Sequence, residues 1–185
     1  MDAHTTVDPG HFRRVLSHFA SGVVIVTGIA DGDPVGLTCQ SFTSLSLSPP
    51  MVLFCPSKTS RSWPLLATVP YLCVNVLSAG QHELSDAFAR SGSDKFAGVA
   101  WSPTPQGAPA LGGAAAHIEA RIAACHDGGD HHIVTCVVEA LSAESDPDPL
   151  LYYRSGYRAL DSSGHSGCSG RSGSSDHSRR QRQVA

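Results

Sequence analysis

Between Ser57 and Trp63 the chain reads Ser-Lys-Thr-Ser-Arg-Ser-Trp, which places four hydroxyls, two cations and an indole N–H within seven residues. Groups of this kind bind anions. If a helix opens near Ser60, its first free N–H groups and its dipole point at the same place and favour a phosphate. A polar surface loop that caps a helix has the same composition, so the residues alone leave both uses open. A second cluster is the turn His126-Asp127-Gly128-Gly129-Asp130, followed by His131 and His132. Imidazole changes charge near neutral pH and donates or accepts a hydrogen bond. In a regular strand His131 and His132 point to opposite faces, so only one of them can meet a given ligand.

The elements that must position these residues are mostly strands. Asp8-Pro9 starts a helix with Pro9 in its first turn, and Phe12, Val15, Leu16 and Phe19 give it one apolar face before Gly22. Val23 to Thr27 is a short β-branched strand. Asp31-Gly32 marks a hairpin. Gly36 to Pro64 then supplies two strands: Thr38 to Leu47, closed by Ser48-Pro49-Pro50, and the apolar run Met51 to Cys55. Tyr71 to Leu77 is another strand. Ser78 and Gln81 have capping-box spacing, and the helix after them turns Leu84, Ala87 and Phe88 inward. Residues 91–113, rich in Gly, Pro and Ser, form a long connection of the sort that is functional or covers a partner. Ala114 to Cys125 reads as a strand with His117, Glu119 and Arg121 on a wet face. His132 to Leu141 and Leu150 to Tyr153 complete about seven strands, with two or three helices and no regular β-α-β alternation. That pattern predicts a mainly β fold, an antiparallel barrel with peripheral helices.

Composition narrows the function classes. The 185 residues suit one well-buried domain. We divide them into an N-terminal arm (1–10), a folded domain (11–160) and a Ser/Gly/Arg-rich tail (161–185) that cannot bury a core and is expected to be disordered. The tail's two His and one Cys are too sparse for a metal site, and we expect no metal. A net charge of −3 gives no indication of nucleic acid. No apolar run reaches the length of a membrane span, and MDAHTTVDPG has neither the basic nor the apolar region of a signal peptide. The six cysteines form no C-x-x-C pair and suit free thiols in a reducing cytoplasm. The G-x-G-x-x-G fingerprint is missing, so a Rossmann site for a nicotinamide cofactor is not expected.

Eight short pieces, in order, resemble the flavin reductase-like family. They are Phe12–Thr27, Pro34–Thr38, Cys39–Phe42, Ser46–Pro50, Ser57–Ser60, Val74–Leu77, Asp94–Gly98 and Gly128–His131. The match is with the small reductase component of two-component flavin-dependent monooxygenases. The resemblance implies an antiparallel split β-barrel, Greek-key and FMN-binding, and a homodimer. It also implies FMN or FAD as the flavin, NADH or NADPH as hydride donor and a monooxygenase as partner. By resemblance, Thr38, Cys39, Gln40 and Ser41 lie along the flavin ring, and Ser57, Lys58, Thr59 and Ser60, with Trp63 nearby, hold its phosphate. Lys95 and Phe96 also belong near the flavin. His131 lies on the nicotinamide side and is the expected catalytic residue; Tyr152 and Tyr153, on a late strand, either wall the same slot or belong to the core, with Tyr152 taken for the slot. The donor must bring its C4 to about 3–3.5 Å from flavin N5. Arg61 suits a dinucleotide phosphate or a solvated helix position equally. A flavin carrier without NAD(P)H activity, or an FMN oxidase of the pyridoxine-phosphate type, are the rival functions.

Overall fold

The computed structural model describes residues 7–92, 94–144 and 147–160, so the 161–185 tail and Cys168 lie outside the described residues. Helix α1 (Pro9–Leu16) starts as its sequence dictates: Asp8 caps it by accepting the His11 N–H, and Pro9 sits in its first turn. The helix closes at Leu16, well before Gly22. The strands β1 (Ser21–Gly22), β2 (Val24–Ala30), β3 (Asp33–Cys39), β4 (Phe42–Leu47), β5 (Pro50–Phe54) and β6 (Leu72–Val76) follow, with helix α2 (Trp63–Leu66) between β5 and β6. Helix α3 (His82–Ala89) leads to β7 (Trp101–Pro103), β8 (Pro109–Leu111), β9 (Ala116–Gly128), β10 (His131–Ala143), β11 (Leu151–Tyr153) and β12 (Gly156–Arg158).

Seven strands form one antiparallel sheet in the order β3-β2-β6-β9-β10-β5-β4. Its two edges, β3 and β4, are consecutive in sequence and separated only by Gln40 and Ser41. Two residues span less than about 10 Å. The sheet must therefore curl until its edges meet at that corner, which makes it a barrel. Beyond the Phe42–Phe54 pair, Cys55 N–H donates to Ser41 O at 3.1 Å and carries the β4–β5 pairing up to the corner. The sequence treats 38–47 as one strand; the break at Gln40-Ser41 moves Thr38 and Cys39 into β3 and is what joins the edges.

Strand β2 is β-branched because both its faces are buried. Val24 and Val26 face the barrel interior with Leu37, Phe54, Leu72, Val74 and Val134. Val23 and Ile25 face outward onto α3 and the β11 region, packing with Phe88, Leu111 and Leu150. The β2–β3 turn has Asp31 at φ 54° and Gly32 at φ 91°, as the Asp-Gly signal requires. Asn75 is fully buried; it donates to Ile25 O and accepts the Leu111 N–H, tying the β7–β8 hairpin to the barrel. That hairpin lies within the segment expected to be an irregular connection.

Two further expectations change. Glu119 is 2 % exposed, not on a wet face: its Oε1 accepts from Thr104 Oγ1 and Gln106 N–H, pinning the turn after β7. A twelfth strand, β12, pairs with β11 through a turn at Arg154 and Ser155. Among the described residues no helix is long and apolar enough to cross a membrane, and Cys39, Cys55, Cys73, Cys125 and Cys136 are free thiols.

Candidate active site

A cleft of about 570 Å³ opens where the sheet edges meet. Its walls are the end of β3 with Gln40 and Ser41, the loop from Cys55 to Ser62, the C-terminal end of α3 with Arg90, Ser91 and Gly92, and Lys95 and His131. Among the described residues no acidic one lines it, so its field favours an anion.

The hydroxyl-rich loop is held by backbone pairing to the β9–β10 hairpin. Lys58 N–H donates to Asp130 O, His132 N–H donates to Pro56 O, and Ser57 and His131 form an isolated β-bridge. Ser57 Oγ and Thr59 Oγ1 lie 2.9 Å apart, and Ser57 Oγ also accepts the Thr59 N–H. Ser60 Oγ accepts the Trp63 N–H, so the loop caps α2. This helix starts at Trp63 and has one turn. The helix expected near Ser60 is thus absent, and its dipole adds little to anion binding.

The cations are arranged differently from the expectation. Lys58 turns out of the cleft, with Nζ 2.6 Å from Asp127 Oδ2. That hydrogen bond, then the Gly129 N–H, holds the Asp127 carboxyl below the usual carboxylate range. Lys95 lines the cleft, but its ammonium donates to Gly36 O, Ser62 Oγ and Phe88 O. These three acceptors use all its donors, and burial lowers its pKa. The cleft cations left for a ligand are Arg61 and Arg90. Arg61 lies against Gly92, which sits at φ +83° with Arg61 Nη1 3.8 Å from where a Cβ would stand. Arg90 had no expectation attached; its sequence signal is Arg-Ser-Gly at the end of α3, where the long 91–113 connection begins.

Along β3, Thr38 Oγ1 donates to Ser85 O, and Cys39 Sγ lies 3.1 Å from Ser41 Oγ. Both side chains are satisfied within the fold. Burial pushes the Cys55 thiol pKa up, partly offset by the Ser41 hydrogen bond. Gln40 is exposed at the cleft wall.

His131 lines the cleft, and its Nδ1–H donates to Asp130 Oδ1 at 2.7 Å. A carboxylate only accepts, so the proton is assigned to Nδ1 and Nε2 is left for a ligand. The hydrogen bond from His131, and its charge, hold Asp130 below the usual carboxylate range, with Arg13 adding to the effect. His132 takes the opposite face and packs on Trp63, ring centroids 6.0 Å apart. Trp63, Phe96 and Tyr152 stand elsewhere. Trp63 is 6 % exposed, with its indole packed edge-on against Phe54 in the barrel core. Phe96 meets Phe88 at 4.9 Å between centroids. Tyr152 packs on Tyr157 and borders a separate groove under α1. Trp63 is buried and Phe96 and Tyr152 are half-buried, each packs against another ring, and none of the three lines the cleft.

A cleft of this volume, with hydroxyls, two guanidiniums and, among the described residues, no lining carboxylate, suits an anionic ligand. Comparison with known proteins gives the family. Residues 16–161 match the family model described as flavin reductase like domain. The reductase subunit HsaB of a flavin-dependent monooxygenase from Rhodococcus jostii is 46% identical over 159 residues, covering 86% of this chain and 82% of that protein. The crystal structure of nitrilotriacetate monooxygenase component B from Mycobacterium thermoresistibile superposes with a TM-score of 0.81 at 44% identity, covering 88% of this chain and 92% of that one. The Streptomyces globisporus NADH:FAD oxidoreductase SgcE6, solved with NAD and FAD fragments, gives 0.80 at 36% identity, covering 85% and 98%.

Proposed function

The chain belongs to the flavin reductase-like family, and from that premise we propose that it takes hydride from NADH, passes it to FMN or FAD and supplies reduced flavin to a separate monooxygenase. The observation that carries the reading is the acid-free cleft that brings Ser57, Thr59, Arg61, Arg90 and His131 together at the barrel corner. The flavin, when bound, supplies the hydride acceptor. Arg61 and Arg90 come from different elements, so two guanidiniums converge on one phosphate with the Ser57–Thr59 hydroxyls. The amide of Gln40 serves the polar edge of the ring. His131 is held by Asp130 in one tautomer, and its Nε2 orients the donor's carboxamide.

A second copy of the chain belongs to this reading. In α1 and just after it, Phe12, Val15, Leu16 and Phe19 are 56%, 51%, 51% and 79% exposed. Three exposed large apolar residues on α1, with Phe19 just after it, mark a protein interface, and we assign it to a homodimer.

Oxidation of NADH and NADPH, followed by absorbance with and without FMN or FAD, tests the function. Turnover that rises with free flavin and saturates supports it. Flavin binding without turnover for any pair overturns it in favour of a carrier. Amine or alcohol oxidation with tightly held FMN overturns it in favour of an oxidase.

A further inference from the structure

Two thiols stand in the wall of the cleft. Cys39 lines it from the end of β3 and Cys55 from just past the end of β5. The two are 16 residues apart in sequence and meet across the corner where the barrel closes, with Cys39 Sγ 3.8 Å from Cys55 O. Ser41 links them. Its Oγ is 3.1 Å from Cys39 Sγ and 3.0 Å from Cys55 O, and it hydrogen-bonds the Cys55 thiol as well. Cys55 is half-buried and Cys39 is buried. A small oxidant entering the cleft therefore reaches Cys55 first, with Cys39 on the same hydroxyl.

Packing explains Cys39, which belongs to the barrel core. It does not explain a second, more accessible thiol that shares a hydroxyl with the first. Arg61 and Arg90 make the cleft cationic, and positive surroundings favour a thiolate. Burial acts the other way and raises the Cys55 pKa. Thiolate is thus scarce near neutral pH, and the pair withstands traces of oxidant.

We infer that Cys39 and Cys55 are a peroxide-responsive pair that closes to a disulfide and weakens flavin binding. This rests on the proposed function for the source of the peroxide: reduced flavin that no oxygenase consumes is reoxidised by dioxygen, which is released as hydrogen peroxide. The Cys55 thiolate attacks one peroxide oxygen and the O–O bond breaks. The other oxygen leaves as water with the thiol's proton, and Cys55 becomes a sulfenic acid. Cys39 then attacks that sulfur. The S–O bond breaks, a second water leaves with the Cys39 proton, and the S–S bond forms. The thiols lose two electrons and one peroxide becomes two waters. Bonded sulfurs leave no place for a hydroxyl bridging them. Ser41 must release both, and Gln40, next to it on the cleft wall, moves with the corner.

The test treats flavin-free protein with hydrogen peroxide, alkylates it in denaturant and maps the peptides by mass, before and after dithiothreitol. FMN binding is read on the same samples by quenching of flavin fluorescence. A Cys39–Cys55 cross-link should form, and Kd for FMN should rise about tenfold or more. Dithiothreitol should reverse both, and bound FMN should slow the cross-link. In C39S the Cys55 sulfenic acid has no resolving thiol and should be captured by dimedone, whereas C125S should respond as wild type does. Cys39 and Cys55 still open to alkylation after peroxide, or a cross-link that leaves Kd unchanged, overturns the inference. A cross-link in a protein that oxidises no NADH with any flavin sinks the reductase reading and leaves the pair standing. Turnover with no cross-link does the reverse.

Discussion

Lys58 Nζ stands 2.6 Å from Asp127 Oδ2, which ties the hydroxyl-rich loop to the β9–β10 hairpin by a side chain as well as by backbone. Both groups reach water, so the pair contributes little to stability. The lowered Asp127 pKa sets the sign of its pH dependence. The contribution is present above the usual aspartate range and is lost as pH falls through the lowered value. Lys58→Ala should leave the melting temperature at pH 7 within about 2 °C, with the difference from wild type vanishing in acid. Thermal scans at pH 7 and below pH 3 check this.

Arg61 and Arg90 are the cleft cations without a protein partner among the described residues, whereas Lys95 is saturated. A charge-assisted hydrogen bond is worth about 1.5–3 kcal/mol. Arg61→Ala and Arg90→Ala should each weaken FMN binding about tenfold or more, read by quenching of flavin fluorescence, and Lys58→Ala should weaken it far less. Equal losses for all three variants would mean that Lys58 swings into the cleft when the ligand arrives.

His131 and His132 are adjacent and serve different faces. His131→Ala should lower kcat/KM for NADH about 10–100-fold with little change in flavin Kd. Asp130→Ala should lower it less, because the ring survives but loses its orientation. His132→Ala should lower the melting temperature by removing the contact with Trp63 and leave KM for NADH near wild type. Steady-state kinetics and thermal scans separate these outcomes. A kinetic defect in His132→Ala with none in His131→Ala would reverse the assignment.

How far the site was legible depends on what each residue's signal was. The helix at Pro9, the Asp31-Gly32 hairpin and the opposed histidines rest on local geometry, and local geometry is written in sequence. The barrel was legible from strand count, but its closing corner was not, because Gln40-Ser41 carries neither the Gly nor the Pro that marks a break. Trp63 and Phe96 follow chemically active neighbours, and adjacency in sequence says nothing about which face a ring takes. The resemblance puts Lys58 at the flavin phosphate and Lys95 near the flavin. Their partners Asp127, Gly36 and Phe88 are from seven to 69 residues away, so only tertiary structure shows they are engaged. Glu119 has an ordinary strand position, and its burial depends on the Thr104 turn.

Cys73 and Cys136 are buried thiols whose pKa is pushed up to about 12 by desolvation. Unfolded, they ionise near the ordinary thiol value of about 9. Above that value the unfolded chain binds fewer protons than the native one, so stability should be fully present below pH 9 and fall as pH rises towards 12. Cys125 is exposed. Alkylation at pH 8 followed by peptide mass mapping should label Cys125 promptly and leave Cys73 and Cys136 unlabelled until denaturant is added. Prompt labelling of Cys73 or Cys136 in the native protein would contradict the burial.

Gly36 shows how packing far from the ligand sets the cleft. A Cβ there would lie 2.6 Å from Phe88 Cε1 and 2.8 Å from Cδ1. Phe88 is 1% exposed and packed against Phe96, so its ring has nowhere to move without carrying the end of α3. Lys95 bonds both Gly36 O and Phe88 O, and Arg90 follows Phe88 by two residues. Overpacking of this kind costs about 1–3 kcal/mol, and for a chain of this size each kcal/mol lowers the melting temperature by about 2–4 °C. Gly36→Ala should therefore melt several degrees below wild type and bind FMN more weakly, because Arg90 is displaced. Trimming the ring relieves the clash, so Gly36→Ala should cost less in a Phe88→Leu background than in wild type. A double-mutant cycle by urea denaturation measures that coupling, and strictly additive losses would show that the glycine is not there to admit Phe88.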